Sequence, residues 1–207
     1  MKTLYEKFIT GPLDVNTYIV RNEQKSCLVI DPSSNCEEVI DYLKVKGLSV
    51  EAVVLTHGHF DHIMGIPEIL SGFPAIPVYI HSDDRAMLSQ PLLNGSVLIG
   101  EAFTYSGENV FDLAEGEVEI GPFHLNVLHI PGHSSGGCAL VMGDVCFCGD
   151  IVFAGSIGRT DLPGGDGRAL VSGIRHKLLS LPDNTVLCPG HGGRTTVGRE
   201  KKMNPFL

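Results

Sequence analysis

The run Thr56-His57-Gly58-His59-Phe60-Asp61-His62 puts three imidazoles and a carboxylate within six positions. Core packing gives no reason for so many titratable groups in one stretch. Metal ligation does: imidazole suits zinc, iron and related ions, and a carboxylate adds charge and a harder oxygen donor. A compact loop can aim His57 and His59 at one ion, while Asp61 and His62 face a neighbouring one. Three further loops supply His133 in Pro131-Gly132-His133-Ser134, Asp150 in Cys148-Gly149-Asp150, and His191 in Pro189-Gly190-His191-Gly192. Each follows an apolar, strand-like run and lies beside a glycine, where backbone can approach closely. The pattern points to a hydrolytic site with two divalent metal ions. Such ions lower the pKa of water toward neutrality, so that hydroxide can attack an acyl carbon while a metal polarises its carbonyl oxygen. Asp61 is also placed to orient that hydroxide.

The remaining histidines, His81, His124, His129 and His176, lie outside the pattern and are expected at the surface or in ordinary hydrogen bonds. His81, just past a strand end, is expected nearest the site. Six cysteines include no Cys-x-x-Cys pair, and most lie in apolar runs. They are expected to be buried free thiols of a reducing, cytoplasmic protein. In Cys146-Phe147-Cys148, strand alternation puts both sulfurs on one face, as packing rather than as a soft-metal site.

The elements that must position these residues follow from pattern. Residues 15–20 and 26–31 read as strands joined by a polar turn over 21–25. Ser34 or Asn35 is expected to cap a helix running to Lys46, with Val39, Ile40 and Leu43 on one face and Gly47 at its end. Residues 50–55 form a buried strand that ends at the histidine run. A helix over 63–70 has Pro67 near its first turn, 78–81 is a strand, and Ser82 caps a helix over 83–88. Residues 89–112 are punctuated by glycine and proline and suit either a lid or surface packing. Strands follow at 118–120, 123–129, 138–142 and 145–148, then a helix over 168–179, a strand at 185–188 and a short helix from about Thr196. Two mixed sheets packed face to face with helices outside satisfy this order, an α/β layered sandwich with every ligand candidate on loops at one edge.

The chain has 207 residues, 43% of them hydrophobic and 19% charged, which suits one domain with a full core. A net charge of −9 disfavours a nucleic-acid partner. The first eleven residues carry Lys2, Glu6 and Lys7 and do not read as a secretory signal, and no apolar run is long enough to span a membrane. A cytoplasmic enzyme with a small-molecule substrate is expected.

The motif His57-x-His59-x-Asp61-His62, followed by distant His133, Asp150 and His191, resembles that of the metallo-β-lactamase superfamily, and all seven positions match in order. The resemblance implies a four-layer αβ/βα sandwich of two mixed β-sheets. It implies His57, His59 and His133 around a first metal, Asp61, His62 and His191 around a second, and Asp150 bridging the two. The segment from Ile157 to Asp166, the ending with Glu200 and Asn204-Pro205-Phe206, and Leu92-Leu93-Asn94 resemble small bacterial glyoxalase II-like hydrolases. That likeness implies cleavage of acyl-glutathione or related thioesters through a metal-bound hydroxide, with zinc the expected metal and iron or manganese also suited to the donors. Long glyoxalase II enzymes carry a C-terminal glutathione-binding helical domain; only sixteen residues follow His191 here, so a single domain is expected. Arg159, Arg194 and Arg199 are the cations nearest the motifs, and Arg159 is expected to be structural, paired with an acid such as Asp161. The alternative is a persulfide dioxygenase using one iron on His57, His133 and Asp150. Lactamase-like or phosphoesterase chemistry of the same superfamily is a further one.

Overall fold

A computed structural model describes residues 3–207. The first sheet is mixed and carries six strands in sequence order: β1 (Leu4–Thr10), β2 (Val15–Arg21), β3 (Ser26–Ile30), β4 (Ser49–Val54), β5 (Val78–Ile80) and β6 (Val110–Asp112). The chain then forms β7 (Gly116–Ile120), β8 (Phe123–His129), β9 (Cys138–Met142) and β10 (Val145–Gly149), a small hairpin of β11 (Val152–Phe153) and β12 (Ser156–Ile157), and finally β13 (Val186–Pro189) and β14 (Thr195–Thr196). The second sheet has the order β14-β13-β10-β9-β8-β7, with β10 and β13 parallel.

Alternation along single strands divides the apolar residues into separate cores. In β2 to β4, Tyr18, Val20, Leu28, Ile30, Ala52 and Val54 face the second sheet, where they meet Leu125, Val127, Leu140 and Phe147. Their neighbours Ile19, Cys27, Val29 and Val53 point outward into a core roofed by helices α1 (Glu37–Lys46), α2 (Phe60–Ile63) and α3 (Ile66–Gly72). A short α4 (Pro91–Asn94) follows β5, and α5 (Gly167–His176) covers the outer face of the second sheet over Ala139, Cys146, Cys148 and Leu187. The C-terminal α6 (Val197–Met203) completes that layer through Val197. Strands buried on both faces read as continuous apolar runs. The expected four-layer sandwich is therefore present, and its mean contribution per fully buried Leu, Ile or Val side chain is about 1.5–3 kcal/mol.

Several local expectations are corrected. β1 was not anticipated: it is an edge strand, LYEKFIT, in which apolar and polar residues come in adjacent pairs instead of alternating, and it pairs only with β2. Neither Ser34 nor Asn35 caps α1. Asn35 has φ 64, Cys36 takes the cap position, and the carboxylate of Glu68 accepts the N–H of both Asn35 and Cys36, at 3.1 and 2.7 Å. The helix expected over 63–70 is broken at Met64 and Gly65, with Pro67 in the first turn of α3, where its missing N–H costs nothing. Residues Ser82–Leu88 form a 3-10 helix whose first turn is capped by His81, not Ser82. Residues 89–112 contain α4, a 3-10 turn over Ser96–Ile99 and β6. The Pro163-Gly164-Gly165-Asp166 segment ends in a helix cap, since Asp166 Oδ1 accepts from the N–H of Arg168 and Ala169 at 2.9 and 3.0 Å. The short helix expected from about Thr196 is α6, and Thr196 is its cap.

All six cysteines are free and buried. Burial pushes the thiols of Cys27 and Cys36 up to about 12 and that of Cys188 up to about 11, so thiolate is scarce at neutral pH. An aromatic disulfide reagent at pH 8 is expected to find no reactive thiol in the native protein and six after denaturation. A fast-reacting thiol in the folded state would contradict this packing.

Candidate metal centre

The strands of both sheets that carry the predicted ligands end at one edge. β4 runs into His57 and His59, β8 leads to His133, β10 to Asp150 and β13 to His191, and α2 presents Asp61 and His62 on its single turn. All seven residues come together. Ligand atoms of His57, His59 and His133 lie within 4.8 Å of one another, and so do those of Asp61, His62 and His191. His59 Nδ1 is 2.9 Å from His133 Nε2, and His191 Nε2 is 3.3 Å from Asp61 Oδ2. Asp150 stands between the clusters: Oδ2 is 3.6 Å from His133 Nε2 and 3.6 Å from His191 Nε2, and Oδ1 is 3.4 Å from His62 Nε2. Gly190 permits this approach, because a Cβ there would collide with Asp150 Oδ1 and His62.

Backbone and buried side chains fix which ring nitrogens face inward. His133 Nδ1–H donates to the Arg159 carbonyl at 2.8 Å and His191 Nδ1–H to the Leu13 carbonyl at 2.9 Å. His62 Nδ1–H donates to Asp31 Oδ2 at 3.0 Å. His57 Nδ1 lies 3.1 Å from Thr56 Oγ1, which itself donates to Asp31 Oδ2 at 2.6 Å. Outer hydrogen bonds of this kind leave the opposite ring nitrogen as a lone pair directed at the site.

The donor set fits metal ions. Among the described residues, five buried side-chain polar atoms lack a hydrogen-bond partner, and four belong to this centre: His57 Nε2, His59 Nε2, His62 Nε2 and Asp150 Oδ1. Leaving such atoms uncompensated costs about 1–3 kcal/mol each, so their collection in one place is strong evidence for cations there. Protonation divides the imidazoles. Burial pushes His57 down, and burial with His133 takes His59 down to about 3, so both stay neutral. Burial also acts to lower His62, but the carboxylates of Asp61, Asp150 and Asp31 outweigh it and raise it well above the ordinary value. Asp61 and Asp150 are held ionised: His62 with His191 for the first, and His62 with His133 for the second, outweigh the burial that would raise them.

Two carboxylates that sequence reasoning missed support the ligand loops. Asp31 also accepts from the Thr56 N–H at 2.8 Å, so one buried carboxylate steadies His57 and His62 together. Its place at the end of an apolar strand was the available signal. Asp84, fully buried, accepts from Gly58 N–H at 3.0 Å, Ser134 Oγ–H at 2.7 Å and Gly136 N–H at 2.6 Å, clamping the histidine run of the first sheet to the His133 loop of the second. Nothing in its local sequence marks it.

Other expectations change. His81 does not reach the site. It stacks on His129 with ring centroids 3.9 Å apart and planes at 15°, and the ligand atoms of these two rings and of the exposed Asp83 lie within 4.8 Å of one another, apart from the seven-residue cluster. Arg159 pairs with Asp161 as expected, at 2.7 and 2.8 Å, but both side chains are solvent-exposed, so the pair carries little stability; the structural service of this residue is its carbonyl. Arg194 and Arg199 line a separate groove of about 780 Å³ together with Arg21, Asp144 and Val186, at the strand ends away from the ligands. Glu200 and Asn204 tie the C-terminal helix to the β11–β12 hairpin: Glu200 Oε2 accepts from Gly155 N–H at 2.8 Å, and Asn204 Nδ2 donates to the Ser156 carbonyl at 2.9 Å. The ligands open onto a cavity of about 290 Å³ lined by His59, Asp61, His133, Asp150 and His191. Among the described residues, no helix is long and apolar enough to cross a membrane.

A sandwich of this topology with this ligand edge is that of a metallo-hydrolase. Residues 10–191 match the family model of the metallo-β-lactamase superfamily, and the chain belongs to that superfamily. The probable metallo-hydrolase YqgX of Bacillus subtilis (strain 168) is 39% identical over 206 residues, covering 98% of this chain and 97% of that one. The hydroxyacylglutathione hydrolase GloC of Haemophilus influenzae (strain ATCC 51907 / DSM 11121 / KW20 / Rd) is 33% identical over 197 residues, 93% of this chain and 92% of its own. Among solved structures, the BLEG-1 B3 metallo-β-lactamase superposes with a TM-score of 0.93 at 39% identity, covering 99% of both chains. TTHA1623 in a di-iron-bound form superposes with a TM-score of 0.87 at 37% identity, covering 98% of this chain and 100% of that one.

Because the metal-free centre holds His62 and His191 with raised affinity for protons, metal must displace protons to bind. Titrating the metal-free protein with zinc near pH 7 is expected to release protons, and affinity should rise with pH as those imidazoles deprotonate. Calorimetry in buffers of different ionisation enthalpy checks this; a proton count of zero would contradict it. Asp31→Ala frees the rings of His62 and His57 together and is expected to weaken metal binding about 10–100-fold, read by competition with a chromogenic chelator.

Proposed function

We propose that this chain is a thioester hydrolase of the glyoxalase II-like kind, acting on acyl-glutathione or a related small-molecule thioester with two divalent ions, zinc in the first instance. The observation that carries this reading is Asp150, a largely buried carboxylate that reaches both ligand clusters: Oδ2 lies 3.6 Å from both His133 Nε2 and His191 Nε2, and Oδ1 lies 3.4 Å from His62 Nε2. On this reading His57, His59 and His133 hold one ion, Asp61, His62 and His191 hold the other, and Asp150 reaches both. The GloC relative and the di-iron-bound neighbour support it.

Two ions bound there would supply Lewis acidity for the acyl carbonyl and lower the pKa of water toward neutrality. The chain does the rest. Asp61 is ionised, lines the cavity and sits 3.3 Å from His191 Nε2, so it can accept a hydrogen bond from the attacking water and fix its direction. His133 and His191, each locked from behind by a backbone carbonyl, keep the cavity wall from turning as charge develops. Water adds to the acyl carbon, the C–S bond breaks, and a carboxylic acid and a thiol leave. The net charge of −9 disfavours a polyanionic nucleic acid as partner.

The deciding experiment pairs elemental analysis with turnover on one purified sample. About two metals per chain with cleavage of S-D-lactoylglutathione or another thioester is the expected result. About one iron per chain, with oxygen consumed on glutathione persulfide, would overturn it in favour of a dioxygenase.

A further inference from the structure

The wall facing the metal ligands is apolar. Leu13, Phe60, Leu98, Ile99 and Leu162 line the same cavity as the ligands. Among the described residues Arg159 is the one cation in that lining, and its guanidinium is already engaged by Asp161 through two hydrogen bonds. Glutathione carries two carboxylates, so this mouth offers little to hold its charged groups.

The segment that supplies Leu98 and Ile99 has its polarity turned inside out. Its buried side chains are the polar Asn94 and Ser96, whereas Leu92, Leu98 and Ile99 are 74%, 67% and 40% exposed. Asn94 donates to the carbonyls of Met87 and Phe103 at 2.8 and 3.1 Å and accepts from Ser96 N–H at 2.9 Å, and Ser96 Oγ accepts from Phe103 N–H at 3.1 Å. Polar side chains thus hold the backbone from within while leucine and isoleucine stand at the cavity mouth. Exposed apolar surface gathered at a site marks where an apolar ligand is covered. The other wall residues are fixed against the ligands themselves. Phe60 lies between His59 and Asp61, Leu13 gives its carbonyl to His191, and Leu162 follows Arg159, whose carbonyl holds His133.

We infer that the acyl half of the substrate is an unsubstituted apolar chain, gripped by Leu98, Ile99, Leu13 and Leu162, rather than a hydroxyacyl group. The inference rests on the thioester-hydrolase reading and narrows it. The acyl carbon must sit at the ligands, so the chain attached to it meets this wall, and a charged thiol carrier is left toward solvent. Hydrolysis consumes one water and yields the fatty acid and the free thiol.

The test uses the metal-loaded protein and N-acetylcysteamine thioesters, whose thiol is neutral and constant. For acetyl, butanoyl and hexanoyl groups kcat/KM is expected to rise about 2- to 4-fold per added methylene, the upper figure being full burial of each CH2, and butanoyl should exceed lactoyl. Leu98→Asp, at an exposed position, should collapse the hexanoyl-to-acetyl ratio toward one. A second readout needs no turnover: calorimetric binding of acetate, butanoate and hexanoate to the zinc-loaded protein should tighten with chain length, and Leu98→Asp should abolish the gradient. A flat series, preference for lactoyl, or a gradient that survives Leu98→Asp would overturn the inference. So would a fall in molar mass for Leu98→Asp by light scattering, which would make the patch a contact between copies of this chain. If carboxylates bind with the gradient while no thioester is cleaved, the hydrolase reading fails and the apolar subsite stands. Cleavage without a gradient is the reverse.

Discussion

One buried carboxylate holds this centre in register. Asp31 accepts from the backbone and the hydroxyl of Thr56 and from His62, and through Thr56 it reaches His57. Each histidine must show a lone pair inward, and an imidazole does so reliably only when its other nitrogen is committed elsewhere. Asp31 commits two rings at once, from a strand end rigid enough not to follow them. Asp84 then does for the two sheets what Asp31 does for two rings. It joins the Gly58 turn of one sheet to the Ser134 loop of the other, so the two halves of the ligand set cannot drift apart without stripping a buried carboxylate of its donors.

The ligand set was legible in the sequence because its signal is local: four residues in one run, and three more each beside a glycine after an apolar strand. The sandwich was legible for a related reason, since strands buried on both faces leave unbroken apolar runs. Asp31 and Asp84 were not, because the partners that give them meaning lie 25 to 52 residues away. The start of α1 is hidden on the same ground: it carries no side-chain cap, and Glu68, more than thirty residues on, instead holds the N–H groups of Asn35 and Cys36 just ahead of the helix. β1 escaped because the adjacent Glu6 and Lys7 break the alternation in mid-strand, which an edge strand tolerates.

The segment after β5 shows how a rule about burial can hold in energy while failing in composition. Asn94 and Ser96 are inside because their hydrogen bonds are complete, which removes the penalty of burying them. The leucines are outside because no core is offered to them. A pattern search that equates apolar with interior reads this stretch as loop, whereas the hydrogen bonds show a fixed ledge beside the ligands.

Two segments far apart in the sequence meet at the metal centre. Val15 bridges to His191, Asn16 N–H donates to the Gly190 carbonyl at 2.7 Å, and the His191 ring is oriented by a carbonyl 178 residues earlier. His191 therefore has no defined direction until the first hairpin and the last core strand have docked. A chain emerging from the ribosome can gather His57, His59 and His62 early but cannot close the second cluster until β13 and the loop carrying His191 have been made. Such long-range closure is slow to form, which makes the full ligand set a late product of folding and gives metal loading a built-in check that both of these distant segments are in place.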